Sequence, residues 1–356
     1  MSTGFFAVSI STLHQIADLQ GGADHIMAYL VLASHTSGKG SRAHRVSTAG
    51  AKAISKKTGI SYNRTEKCLG WLCTNDFIER IADGEEGSAP RTPRWLLCEL
   101  RDNLVYLSHS LIEGVGKGKI IPPLRRIWDD TNTGSCPSFM SAKMDVILLL
   151  IHCYQEQQIQ DYGGVDPKCI RGIWSESDCL PDSLESMEWL VVEIEKKGNE
   201  ASISFINRVL PYISSDDQSE RFWNAFNNLR NLGFMYEVLQ VWHGDPVKDD
   251  RAELQYPLYI RDYHARKNEA YCLKETHAFL RDYYDGKGFM ETIEHGIENN
   301  SFRYIRTKRG GECVLGTMRM RFRPSTEEVA QGLKHEGSRA ERWKTVLRNT
   351  AEKQSN

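Results

Sequence analysis

The chain has no pair of cysteines two residues apart; its nine are scattered along 356 residues. A zinc finger or knuckle has no support from that spacing, and dispersed thiols in odd number read as free cysteines in a reducing cytoplasm. No apolar run approaches the ~18 residues that would mark a membrane span, and the N-terminus shows no basic-then-apolar leader. The usual catalytic patterns are also missing. There is no His-x-His, no HExxH and no Gly-x-Ser-x-Gly. Gly114-Val-Gly-Lys-Gly-Lys119 imitates a phosphate loop, but its spacing is one residue short and Ile120 stands where Ser or Thr would hold magnesium. Tyr283-Tyr284 and the acids around them have no fixed catalytic spacing. The expectation is a chain that is not an enzyme, with no cofactor and no metal. His152-Cys153 lies in an apolar stretch and reads as core.

Net charge is also scarce, −2 overall, but it is unevenly spread. Residues 1–130 carry 16 basic and 13 acidic side chains, residues 131–300 carry 16 and 28, and residues 301–356 carry 13 and 6. An acidic middle therefore separates two regions able to show basic surface. The local extreme is His35 to Leu72, with eight Lys or Arg against one acid, Glu66.

That basic stretch overlaps the most legible local pattern, Ile54 to Arg80. Lys52–Thr58 suits a short helix capped by Ser47 or Thr48. Gly59 tolerates the left-handed backbone that ends a helix sharply. Ser61 can cap a second helix running to about Asn75, with Ile60, Thr65, Leu69 and Leu72 facing inward. Asn75-Asp76 is a second left-handed-tolerant stop, and Phe77-Ile78-Glu79-Arg80 starts a strand. Ile81 to Leu100 then reads as a β-hairpin with a tip at Asp83–Gly87 and a returning strand at Arg94–Cys98. Helix, turn, helix and hairpin in this register resemble the winged-helix DNA-binding family over 27 ungapped positions. The main departure is Asp76, where the family usually has Gly.

The resemblance implies double-stranded DNA as partner, with the second helix in the major groove. Tyr62, Asn63 and Arg64 would read bases; Asn can pair with adenine and Arg with guanine through two hydrogen bonds each. Lys39, Arg42, Arg45, Lys56, Lys57, Ser61 and Lys67 would hold phosphates. Arg91 and Arg94 would do so from the wing, although Glu85 and Glu86 at its tip would repel the phosphates.

Farther along, residues 108–138 read as a Gly- and Pro-punctuated linker. Met144–Tyr154 suits an apolar helix and Ser183–Lys197 an amphipathic one. Gln218 to Val241, with a hairpin tip at Gly244-Asp245-Pro246, repeats the first pattern at an offset of 157 residues and resembles a second winged helix. Its acidic start at Asp216-Asp217 suits assembly rather than DNA. Residues 269–300 read as acidic helix. Phe302–Arg323 reads as a basic β-ribbon joined by Gly310-Gly311, offering a second DNA contact through Arg306, Lys308, Arg309, Arg319, Arg321 and Arg323. A terminal helix capped at Ser325 would follow.

The expected fold is therefore mainly α with small β-hairpins (α+β). It has a winged-helix domain at 1–107, a linker at 108–138, a second winged-helix-like assembly domain at 139–265, and a helical region with a basic ribbon at 266–356. The expected function is sequence-specific DNA binding by a cytoplasmic, nucleoid-associated homodimer with no membrane contact. Transcription regulation comes first. Initiation of plasmid or phage DNA replication, as in tandem winged-helix initiators, is the alternative, and a protein-assembly module without DNA is the third reading.

Overall fold

The computed structural model describes residues 4–19, 21–36, 45–81, 93–98, 102–114, 121–179, 189–260, 301–307 and 310–323, with scattered positions between 327 and 345. The chain folds as two units, each assembled from separated segments. Unit 1 comprises Met1–Gln155, Ile206–Phe234 and Arg321–Ser325; unit 2 comprises Glu156–Phe205, Met235–Met320 and Thr326–Asn356.

Unit 1 begins with β1 (Phe5–Ser9), α1 (Ile10–Asp18) and α2 (Ala23–Ser34). Next come β2 (Val46–Ser47), α3 (Ala51–Thr58), α4 (Tyr62–Thr74), β3 (Ile78–Ile81) and β4 (Arg94–Leu97). They are followed by β5 (Leu104–Ser108), α5 (His109–Glu113), α6 (Pro123–Asp130) and α7 (Phe139–Gln155). The apolar runs Ile26–Ala33 and Val146–Ile151 leave no polar face, so α2 and the second half of α7 are buried on all sides and the other helices pack around them. β1 and β5 form an antiparallel ribbon, and β2, β4 and β3 form a three-stranded antiparallel sheet in that order. After α8 (Ile203–Val209), α9 (Ser215–Asn231) returns against α7. There Arg221 grips the buried Asp145 through two hydrogen bonds of 2.8 Å.

Unit 2 has a small hairpin, β6 (Gln157–Gln158) with β7 (Gly164–Val165), and a wide sheet. The sheet strands are β8 (Ile170–Cys179), β9 (Trp189–Ala201), β10 (Met235–His243), β11 (Glu253–Ile260), β12 (Ser301–Thr307) and β13 (Glu312–Met320). Their order is β11-β10-β13-β8-β9-β12, antiparallel throughout. A buried carboxylate ties three of them together: Glu237 of β10 accepts from Trp174 Nε1 of β8 at 3.1 Å and pairs with Lys196 of β9. It sits over facing glycines, Gly172 and Gly316, where a Cβ would lie 2.0 Å from its Oε1.

This six-stranded sheet overturns the mainly α expectation with small hairpins; the fold is α+β with a substantial sheet. The tandem arrangement falls with it. A helix followed by a hairpin does recur at α9, β10 and β11, but β10 pairs on its other side with β13 over nine residue pairs, from Met235↔Met320 to His243↔Glu312. Ser183–Lys197 is not a helix where it is described, from Trp189 on, because β9 occupies it and buries Val192 and Ile194 at alternate positions. The basic ribbon is also corrected: β12 and β13 do not pair with each other and are separated in the sheet by β8 and β9. Residues 108–138 carry α5 and α6, whose Leu111, Ile112, Leu124 and Ile127 are fully buried. The acidic stretch 269–300 and the cap at Ser325 lie outside the described residues. Among the described residues, no helix is long and apolar enough to cross a membrane.

Candidate nucleic-acid interface

The N-cap of α3 is Gly50, not the expected Ser47 or Thr48, and its C-cap is Gly59, whose φ of +81° makes the sharp turn. Thr58 stitches that turn together. Its hydroxyl donates to Ile54 O at 2.8 Å and accepts from the Ile60 amide at 3.2 Å. Ser61 is the N-cap of α4, and Asp76, at φ +59°, turns the chain into β3. α4 buries Thr65, Cys68, Leu69 and Leu72 and exposes Tyr62, Asn63, Arg64, Glu66, Lys67, Gly70 and Thr74. Its outer face thus begins with two polar side chains able to reach base edges and continues to a lysine. On this face Tyr62 donates to Glu66 at 2.7 Å, a bond that raises the phenol pKa.

Basic groups flank the face. Lys52 and Lys56 are exposed on α3, and Arg80 and Arg94 on the hairpin. Ser61 and Lys67 are likewise exposed. Lys39, Arg42 and Arg91 lie outside the described residues. Lys57 pairs with Glu113 of α5, and Arg45 donates to the Ala7 carbonyl at 2.7 Å, so both are committed within the chain.

Arg64 differs from the expectation most consequentially. Its Nε donates to Asp24 Oδ2 at 2.6 Å, its guanidinium lies 5.5 Å from the centroid of the Trp128 ring, and Nη2 reaches Met140 Sδ at 3.7 Å. The side chain is half exposed but folded onto α2, α6 and α7 rather than extended as a reading arm. Asp24 explains the hold. Burial opposes its ionisation, but contacts with His25 and Arg64 outweigh that and keep the carboxyl well below its ordinary range. Cys68 shares the cluster; burial and the Asp24 charge push its thiol up to about 12. Arg64→Ala would strip the partner from a buried carboxylate, so it tests folding as much as recognition.

The proposed second DNA contact does not hold together. Arg319 and Arg323 are each 1% exposed, and Arg319 donates to the Gly163 carbonyl. Arg321 is half-buried beside Gly233. The side chain of Arg306, like Lys308 and Arg309, lies outside the described residues. Sequence reasoning missed Asp24, Glu113 and Trp128, the groups that engage Arg64 and Lys57. The only local signal was Asp24 in the first turn of a helix, where an acid complements the dipole. Comparison with family profiles, curated proteins and solved structures gave no match.

Proposed function

We propose that unit 1 binds double-stranded DNA by inserting the outer face of α4 into the major groove. The observation that carries this reading is the arrangement α3, tight turn, α4, then a hairpin whose strands join β2 in the order β2-β4-β3. That arrangement leaves Tyr62 and Asn63 exposed at the start of α4, with Lys67 a little over one turn on. It agrees with the winged-helix resemblance. Asn63 and Tyr62 are the base-reading groups; Lys52, Lys56, Ser61, Lys67 and Arg94 hold the backbone. Arg64 is left out of this set because its guanidinium is already engaged.

Transcription regulation is the first assignment, with a pair of protomers on two half-sites. Replication initiation uses the same head and differs in where the bound sites lie: over a promoter, or as repeats at an origin. The test is duplex binding as a function of salt. Lys56→Ala should weaken all duplexes alike and reduce the slope of log K against log salt by about 1. An unchanged slope would remove Lys56 from the interface, and salt-independent binding would refute the groove reading.

A further inference from the structure

Beneath α4 the fold gathers three side chains of a kind that hold metal ions. Asp24 and His25 open α2, Cys68 faces them from α4, and one donor atom from each lies within 4.8 Å of the others. Asp24 and Cys68 are buried and His25 is half-buried. His25 Nδ1 is 3.0 Å from Asp24 Oδ1 and also accepts the Gly22 amide at 3.0 Å. Its ring is backed by Trp71, with centroids 4.5 Å apart. A carboxylate, an imidazole and a thiol form a mixed donor set suited to zinc-class dications, which take bonds of about 2.0–2.3 Å to such atoms. Ligand atoms around a tetrahedral ion at those bond lengths stand about 3.3–3.8 Å apart, so donors already within 4.8 Å of one another need only a small closure.

We propose that Asp24, His25 and Cys68 are a binding site for a zinc-class divalent cation, and that the ion displaces Arg64 from Asp24. Cys68 gives up its thiol proton to water and binds through Sγ. Asp24 binds through a carboxylate oxygen, and His25 through Nδ1, which releases the Gly22 amide. Water completes the coordination. The dication cancels the charges of the thiolate and the carboxylate, so Arg64 no longer faces net negative charge and loses its hold on Asp24. Its remaining neighbours, the Trp128 ring and the Met140 sulfur, are weak partners, and its half-exposed position lets it swing outward. Metal binding would thereby move Arg64 from the protein body to the exposed start of α4. The site itself stands apart from the DNA reading, because its test uses no nucleic acid.

The probe is Co²⁺, titrated into the full reduced chain and then displaced by Zn²⁺. The expected result is one equivalent bound, with a thiolate-to-cobalt charge-transfer band that vanishes in Cys68→Ser. His25→Ala, at a half-buried position, should weaken binding by about tenfold or more. Arg64→Met removes the competing cation and should tighten binding by a similar factor. Circular dichroism of each variant confirms that it is folded. A missing thiolate band in the wild type, or one that persists in folded Cys68→Ser, overturns the site. Unchanged or weaker binding in Arg64→Met overturns the displacement.

Discussion

Unit 1 contains a pair of imidazoles, His152 buried and His14 half-buried, that makes its stability depend on pH. His14 Nε2 of α1 lies 2.9 Å from His152 Nε2 of α7, and His14 Nδ1 is hydrogen-bonded to the Tyr212 hydroxyl. A neutral pair needs one proton between the two Nε2 atoms. A second proton would set donor against donor and charge a site where His152 is 1% exposed. Burial, then the nearby His14 and Arg208, push the His152 pKa down to about 3; burial also lowers His14, against the pull of Asp18. The folded value is below the unfolded one, so the unfolded chain takes up the proton first. The contribution is complete above pH 6.5 and is lost as pH falls toward 3. At 1.36 kcal/mol per unit, His152 alone accounts for about 3 kcal/mol lost between pH 6.5 and pH 4. His152→Gln places an amide near the Nε2 position and cannot titrate. Urea unfolding of both proteins at pH 7, 5.5 and 4 should show the wild type losing about 3 kcal/mol more than the variant across that range. Parallel pH profiles would refute the argument from burial of His152.

Two other outcomes follow from buried charges. Arg221→Ala should cost about 3–5 kcal/mol in chemical unfolding at pH 7, because Asp145 would keep a buried charge without its bidentate partner. The penalty should shrink in acid, where Asp145, its pKa raised chiefly by burial, takes a proton. In unit 2, Gly316→Ala would place a Cβ 2.0 Å from Glu237 Oε1 and 2.9 Å from the Gly172 Cα. An overpacking loss of about 1–3 kcal/mol should be visible by thermal melting, with a larger loss if the carboxylate is driven off Trp174 and Lys196.

What could be read from the sequence was local. Gly59 and Asp76 marked the ends of α3 and α4 because each tolerates the left-handed backbone found there, and Ser61 stands at the N-cap of α4 as its residue type suggested, though its hydroxyl makes no cap hydrogen bond. The apolar run in α7 was likewise self-evident, including the burial of His152 and Cys153. The wide sheet was not legible, since β13 pairs with β8 across more than 130 residues and neither strand names its partner. Trp189–Lys197 did carry a period of two at Val192 and Ile194, but a helical reading of the longer segment obscured it. The Arg319–Arg323 alternation misled for a physical reason. β13 is covered on both faces, so a charged alternate position meant a buried hydrogen bond to Gly163 rather than a solvent-facing row. Arg64 failed similarly. Its partner Asp24 is 40 residues away, and spacing alone cannot distinguish an arginine held by a carboxylate from one free to reach a groove.

The most direct test of the central claim begins with selection of bound fragments from a pool of random duplexes. Affinity of the selected and a scrambled duplex is then measured at fixed salt for the wild type and Asn63→Ala. The wild type should favour the selected duplex by about a thousandfold or more. Asn63→Ala should cost about 1–3 kcal/mol on the selected duplex, with relaxed preference at one base pair, and far less on the scrambled one. A pool that yields no enriched sequence, or equal losses on both duplexes, would contradict groove reading by α4.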